Sequence, residues 1–98
     1  RLRITALRVP AGPGIELLEY LAPSDGRPFP ADTRANDLWH WQVNLVTPDL
    51  AAAAAPLRAG HAPLVSPGAV EVPENGLGLH AGLMTRDPDG HAMLLIEE

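Results

Sequence analysis

Only one stretch of this 98-residue chain carries helical spacing, and strand-like segments surround it on both sides. Leu50, Ala53, Ala54 and Leu57 recur as a single apolar stripe, and Gly60 is the natural stop. Ahead of the stripe, Thr47 offers an N-cap, Pro48 suits the first helical position, and Asp49 favours the positive end of the helix dipole. Everything else with structure in it must therefore be sheet or connector.

Upstream, Arg3–Val9 has strand character, Pro10-Ala11-Gly12-Pro13-Gly14 breaks it, and Ile15–Leu21 reads as a second strand. Residues 3–21 are thus expected to form a hairpin. Ala22–Asp37, with three prolines, one glycine and mixed charges, is a connector long enough to cross between two substructures. Leu38–Val46 is the next expected strand. Alternation would put Trp39, Trp41, Val43 and Leu45 on one face, against the helix, and His40, Gln42 and Asn44 on the other. After the helix come three further strands, over Leu64–Val72, Leu79–Thr85 and His91–Glu97. Arg86-Asp87-Pro88-Asp89-Gly90 joins the last two, Pro88 presetting a turn dihedral and Gly90 free to take positive φ. The order is strand, strand, connector, strand, helix, strand, strand, strand, an α+β arrangement. Ile15-Glu16-Leu17-Leu18-Glu19 can be laid over Met93-Leu94-Leu95-Ile96-Glu97, each closing its half, which suggests two modules.

Composition narrows the function. An apolar fraction of 46% belongs to a globular chain, and no apolar run nears the roughly 20 residues of a membrane span. Cysteine is absent, which removes disulfides, zinc knuckles and thiol nucleophiles together and leaves the cytoplasm as the expected compartment. A net charge of −5, with all seven cations arginine, argues against a nucleic-acid surface. No Gly-rich phosphate loop or nucleophile elbow is present, since Gly76-Leu77-Gly78 lacks the strand–loop–helix setting.

Three stretches, residues 14–23, 36–50 and 86–91, together carry a resemblance to a known family, the vicinal oxygen chelate superfamily, which holds glyoxalases, bleomycin-resistance proteins and extradiol dioxygenases. Gly14-Ile15-Glu16-Leu17-Leu18-Glu19-Tyr20-Leu21-Ala22-Pro23 resembles the last strand of a first module. Asn36–Val43, running to Pro48-Asp49-Leu50, resembles the opening strand and helix start of a second, and Arg86-Asp87-Pro88-Asp89-Gly90-His91 its final hairpin. The resemblance implies a glyoxalase-like βαβββ module over 38–98, preceded by the closing hairpin of an incomplete module over 1–23 and a connector over 24–37. The curved mixed sheet would form a cup. It further implies that sequence upstream of Arg1 is missing, and that the chain pairs with a second copy as a homodimer or with that missing N-terminal segment. The expected partner is otherwise a small-molecule ligand, with no nucleic acid and no membrane.

In metal-dependent members, His, Gln or Glu side chains on opening and closing strands hold one divalent ion such as nickel, zinc, manganese or iron, and substrate oxygens complete its shell. Carried over, Glu16 takes the closing-strand position of the first module and Gln42 the opening-strand position of the second. A register shift of two would put His40 there instead. The fourth ligand falls on Leu94, which cannot coordinate, and Glu98 lies about 13 Å further along the same strand face. The resemblance thus implies a small-molecule cup with a degenerate metal site, lined by His40, Asn44 and Leu94. The alternative is a metal-dependent lyase, isomerase or dioxygenase using Glu16 and Gln42.

Blander readings stand beside these. Glu16 could be a strand-edge carboxylate paired with an arginine, and His40 a plain surface or core histidine. His61, His80 and His91 read as ordinary surface or hairpin residues, for they lack helical ligand spacing. Trp39 and Trp41 read as packing on the Ala-rich helix, although Trp39 could instead line a pocket mouth. Asp87 and Asp89 read as turn formers rather than a catalytic pair.

Overall fold

Short strands between turn formers produce two separate sheets in the computed structural model, which describes residues 1–74 and 76–98. β1 (Leu2–Leu7) and β2 (Ile15–Tyr20) pair antiparallel, with Leu2 opposite Tyr20 and Leu7 opposite Ile15. Gly12, at φ +114°, makes the bend between them possible where a side chain would be strained. The expected hairpin is present.

β3 (Gln42–Thr47), α1 (Leu50–Ala59), β4 (Val70–Glu71), β5 (Ala81–Arg86) and β6 (Ala92–Glu97) form the second unit. Its four-stranded sheet runs β3-β6-β5-β4, so the first and last strands of the unit are neighbours. They are parallel, Gln42 beside Ala92 and Thr47 beside Glu97, while β5 runs antiparallel to β6 and to β4. The chain is therefore α+β, with a mixed sheet and one helix packed on it.

Register explains the core. Leu45, Leu95 and Leu83 stand side by side on adjacent strands, and Leu83 and Leu95 meet Leu50 and Ala54 of the helix stripe. Ala53 and Leu57 pack at the edge of this cluster, as their helical spacing requires. Leu50, Ala54 and Leu83 are all but inaccessible, and the cluster is small.

Several boundaries differ from the sequence expectation. The helix begins at Leu50, capped by Asp49, whose side chain accepts from the Ala52 N–H at 2.8 Å. Thr47 instead closes a local turn with its hydroxyl on the Asp49 backbone. A second carboxylate reaches the same helix end, Glu97 of β6 accepting from the Leu50 N–H at 2.8 Å. β3 begins at Gln42, not Leu38. The Arg34 N–H donates to the Asp37 carboxylate and the His40 N–H to the Asp37 carbonyl, which holds 34–40 in turns. Of the strand expected over Leu64–Val72 only Val70–Glu71 and an isolated bridge from Leu64 to Thr85 remain. Pro67 has no N–H to donate there, and the Ser66 hydroxyl takes a ladder position by accepting from the Met84 N–H at 3.0 Å. The two tryptophans are also placed differently. Neither joins the core cluster against α1, and both are half exposed.

The hairpin does not pack substantially on the four-stranded unit. Its apolar side chains, among them Ile4, Leu17, Leu18 and Tyr20, are about half exposed or more. The radius of gyration is 15.2 Å, against about 13 Å for a compact chain of this length. The accessible surface is 7670 Å², where a compact monomer of this mass exposes roughly 5,400 Å².

Candidate functional site

Two places gather side chains with chemical potential. The first is the sheet face turned away from α1. In a parallel pair the residues in register share a face, so Asn44 stands beside Leu94 and, across β6, beside Met84. Gln42, two positions along β3, lies on that face too, and its side-chain amide donates to the Asn44 side-chain oxygen Oδ1 at 2.9 Å. Leu94 is half-buried, whereas Gln42 and Asn44 are exposed. The structure thus brings together Gln42, Asn44 and Leu94.

Glu16 and His40 are not brought to this face. Glu16 sits on β2 opposite Ala6, among the side chains of Leu2, Ile4, Leu18 and Tyr20 on one side of the hairpin. His40 precedes β3 in the turn closed on Asp37, so it does not alternate with Gln42 and Asn44 as a strand residue would. Among the described residues, no three His, Cys, Asp or Glu side chains come close enough together to hold a metal ion.

The second place is a cavity of about 730 Å³ where the connector lies against the β5–β6 turn. Phe29 packs on Gly90 and meets the His91 ring edge-on, centroids 4.8 Å apart. Trp41 lies against the same imidazole at 4.5 Å. Buried Thr33 fastens the connector, donating to the Pro30 carbonyl at 2.7 Å and accepting from the Trp39 indole at 3.1 Å. From the sheet side, the Arg86 guanidinium donates to the carbonyls of Gly90 and Thr33, at 2.6 and 3.3 Å.

Asp87 organises the turn. Its carboxylate accepts from the backbone N–H groups of Asp89 and His91, at 3.0 and 2.9 Å, and lies 3.1 Å from His91 Nδ1. Burial alone would raise its pKa, but the backbone and imidazole contacts of His91 and the Asp89 N–H outweigh this and hold it below the usual carboxylate range. Asp87 is a turn former, as its sequence setting suggested. His91 is more than an ordinary hairpin residue, being half-buried and engaged by Asp87, Phe29 and Trp41. The available signal was a His four residues after an Asp across a Pro-Asp-Gly turn, which returns the ring to the carboxylate.

No family model, no curated protein and no solved structure matches this chain. Among the described residues, no helix is long and apolar enough to cross a membrane.

Proposed function

We propose that this chain is a glyoxalase/bleomycin-resistance-like module of the vicinal oxygen chelate type, binding or acting on a small molecule over the open sheet face. The observation that carries the reading is the parallel pairing of β3 with β6. In a strand–helix–three-strand unit that pairing sets the opening and closing strands together, with Gln42, Asn44 and Leu94 on the face opposite the helix. The resemblance puts ligand contacts on those two strands.

The donor set on this face does not fit a divalent ion. Two neutral amides that bond each other and one leucine supply no anionic ligand, and Glu16 stands on a hairpin not packed against them. The proposal is therefore a metal-free cup, with polar contacts from Gln42 and Asn44 and an apolar floor from Leu94 and Met84. The hairpin surface is covered in the working form by further protein, a second copy of the chain being the simplest source.

Calorimetric titration with Ni²⁺, Zn²⁺ and Mn²⁺ tests the metal side of this reading. The native chain should bind them weakly. Leu94→Glu adds a carboxylate next to Asn44 and should tighten binding, at a stability cost of about 1–3 kcal/mol for a carboxylate replacing an apolar side chain. Tight native binding that Leu94→Glu leaves unchanged overturns the assignment of Leu94 and of the metal-free cup.

A further inference from the structure

The cavity between the connector and the β5–β6 turn is not on the open sheet face. Arg27, Phe29, Trp39, Arg86, Asp89 and His91 line it, with prolines and small residues between them. We propose that it is a second binding site, one that takes a planar aromatic carboxylate.

Size and rigidity come first. About 730 Å³ lies within the range of roughly 300–1,000 Å³ typical of small-molecule sites. The walls are tied down before any ligand arrives. Thr33 holds both the connector backbone and the Trp39 indole, Arg86 bridges the turn to the connector, and Phe29 is wedged on Gly90 and His91. A preorganised wall loses little freedom on binding.

The aromatic preference follows from Trp39. Its indole N–H is satisfied inward by Thr33, yet 54% of the residue is exposed. A large ring with its polar end already bonded leaves an apolar face to contact a flat ligand. Phe29 and His91 supply further ring surface nearby.

The preference for an anion follows from charge. The chain carries −5 overall, yet two of its seven arginines line this one cavity, against the single carboxylate of Asp89. Asp87 is already committed to the turn and to His91. Arg86 is committed to carbonyls, while Arg27 has no hydrogen-bond or ion-pair partner among the described residues. A free guanidinium presents the planar fork that matches a carboxylate.

The test is titration of the full chain with 2-naphthoate and, separately, with its neutral amide, followed by NMR. Binding of 2-naphthoate should be saturable, with shifts at the Trp39 indole and at His91 rather than at the side-chain amides of Gln42 and Asn44. The amide should bind at least fivefold more weakly. Arg27→Gln, at an exposed position that does not hold the fold, should weaken naphthoate by a similar factor, and Phe29→Leu should weaken both ligands. Arg58→Gln, on the helix, should change neither. Absence of saturable binding overturns the proposal, as does equal affinity for acid and amide. So does full naphthoate affinity in Arg27→Gln, or shifts confined to Gln42 and Asn44.

Discussion

Asp87 shows how one carboxylate can hold a turn, a histidine and, through it, a segment distant in sequence. Removing it strands two backbone N–H groups and one imidazole nitrogen. Asp87→Ala should cost about 1–3 kcal/mol, read as a lower urea midpoint, and Asp87→Asn less, because its amide oxygen still accepts from the backbone. The pH dependence follows from the lowered pKa. The folded chain binds that proton more weakly than the unfolded one, whose carboxyl titrates near the ordinary aspartate value of 3.8. The stabilisation is therefore present above that value and lost as pH falls through the lower folded-state pKa. The gap in urea midpoint between native chain and Asp87→Ala should be full above about pH 4 and narrow progressively as pH falls below it. A gap that persisted unchanged at pH 2 would mean that the side chain acts through packing alone.

Among the elements, the helix was the most legible from sequence, the strand before it only from Gln42 onward, and the strand over Leu64–Val72 the least. The stripe Leu50, Ala53, Ala54, Leu57 faces the sheet as its spacing demanded, because helical period and apolar burial point to one solution. The helix start moved by two residues because Thr47 and Asp49 are both capable caps, and the choice depends on Glu97, remote in sequence, reaching Leu50. Trp39-His40-Trp41 looked like strand since aromatic residues favour it, but local hydrogen bonds from Asp37 and Thr33 outcompete a ladder that has no partner strand at that height. For that reason Gln42 and Asn44 lie together on the sheet face away from the helix and His40 does not join them. Pairing of β3 with β6 could not be read locally at all. At this scale Glu97→Ala should lower stability by about 1 kcal/mol by removing a helix-terminal anion and one acceptor, and Leu83→Ala by about 2–5 kcal/mol through a core cavity. Thermal melts followed by circular dichroism at 222 nm measure both. Equal losses from the two would mean that the small cluster of Leu50, Ala54, Leu83 and Leu95 does not dominate the unit.

For the molecule as a whole, surface area is the telling quantity. The chain exposes roughly 2,000 Å² more than a compact monomer of its mass, about what one partner contributes to an obligate interface. A two-stranded hairpin is marginal on its own, and half-exposed Ile4, Leu17, Leu18 and Tyr20 add an apolar incentive to association. Light scattering should report twice the chain mass at micromolar concentration, with a melting temperature that rises with concentration. A well-folded particle of single-chain mass over a broad concentration range contradicts this. The sheet order also bears on how the molecule is made. β6 is the last strand of its unit in chain order, yet it sits in the interior, between β3 and β5. As the polypeptide emerges from the ribosome, β3 waits without a neighbour until the final strand has cleared the exit tunnel. The nascent unit thus spends most of its synthesis with its future core open to water, and a ribosome stalled before residue 92 would present an unclosed sheet edge to chaperones.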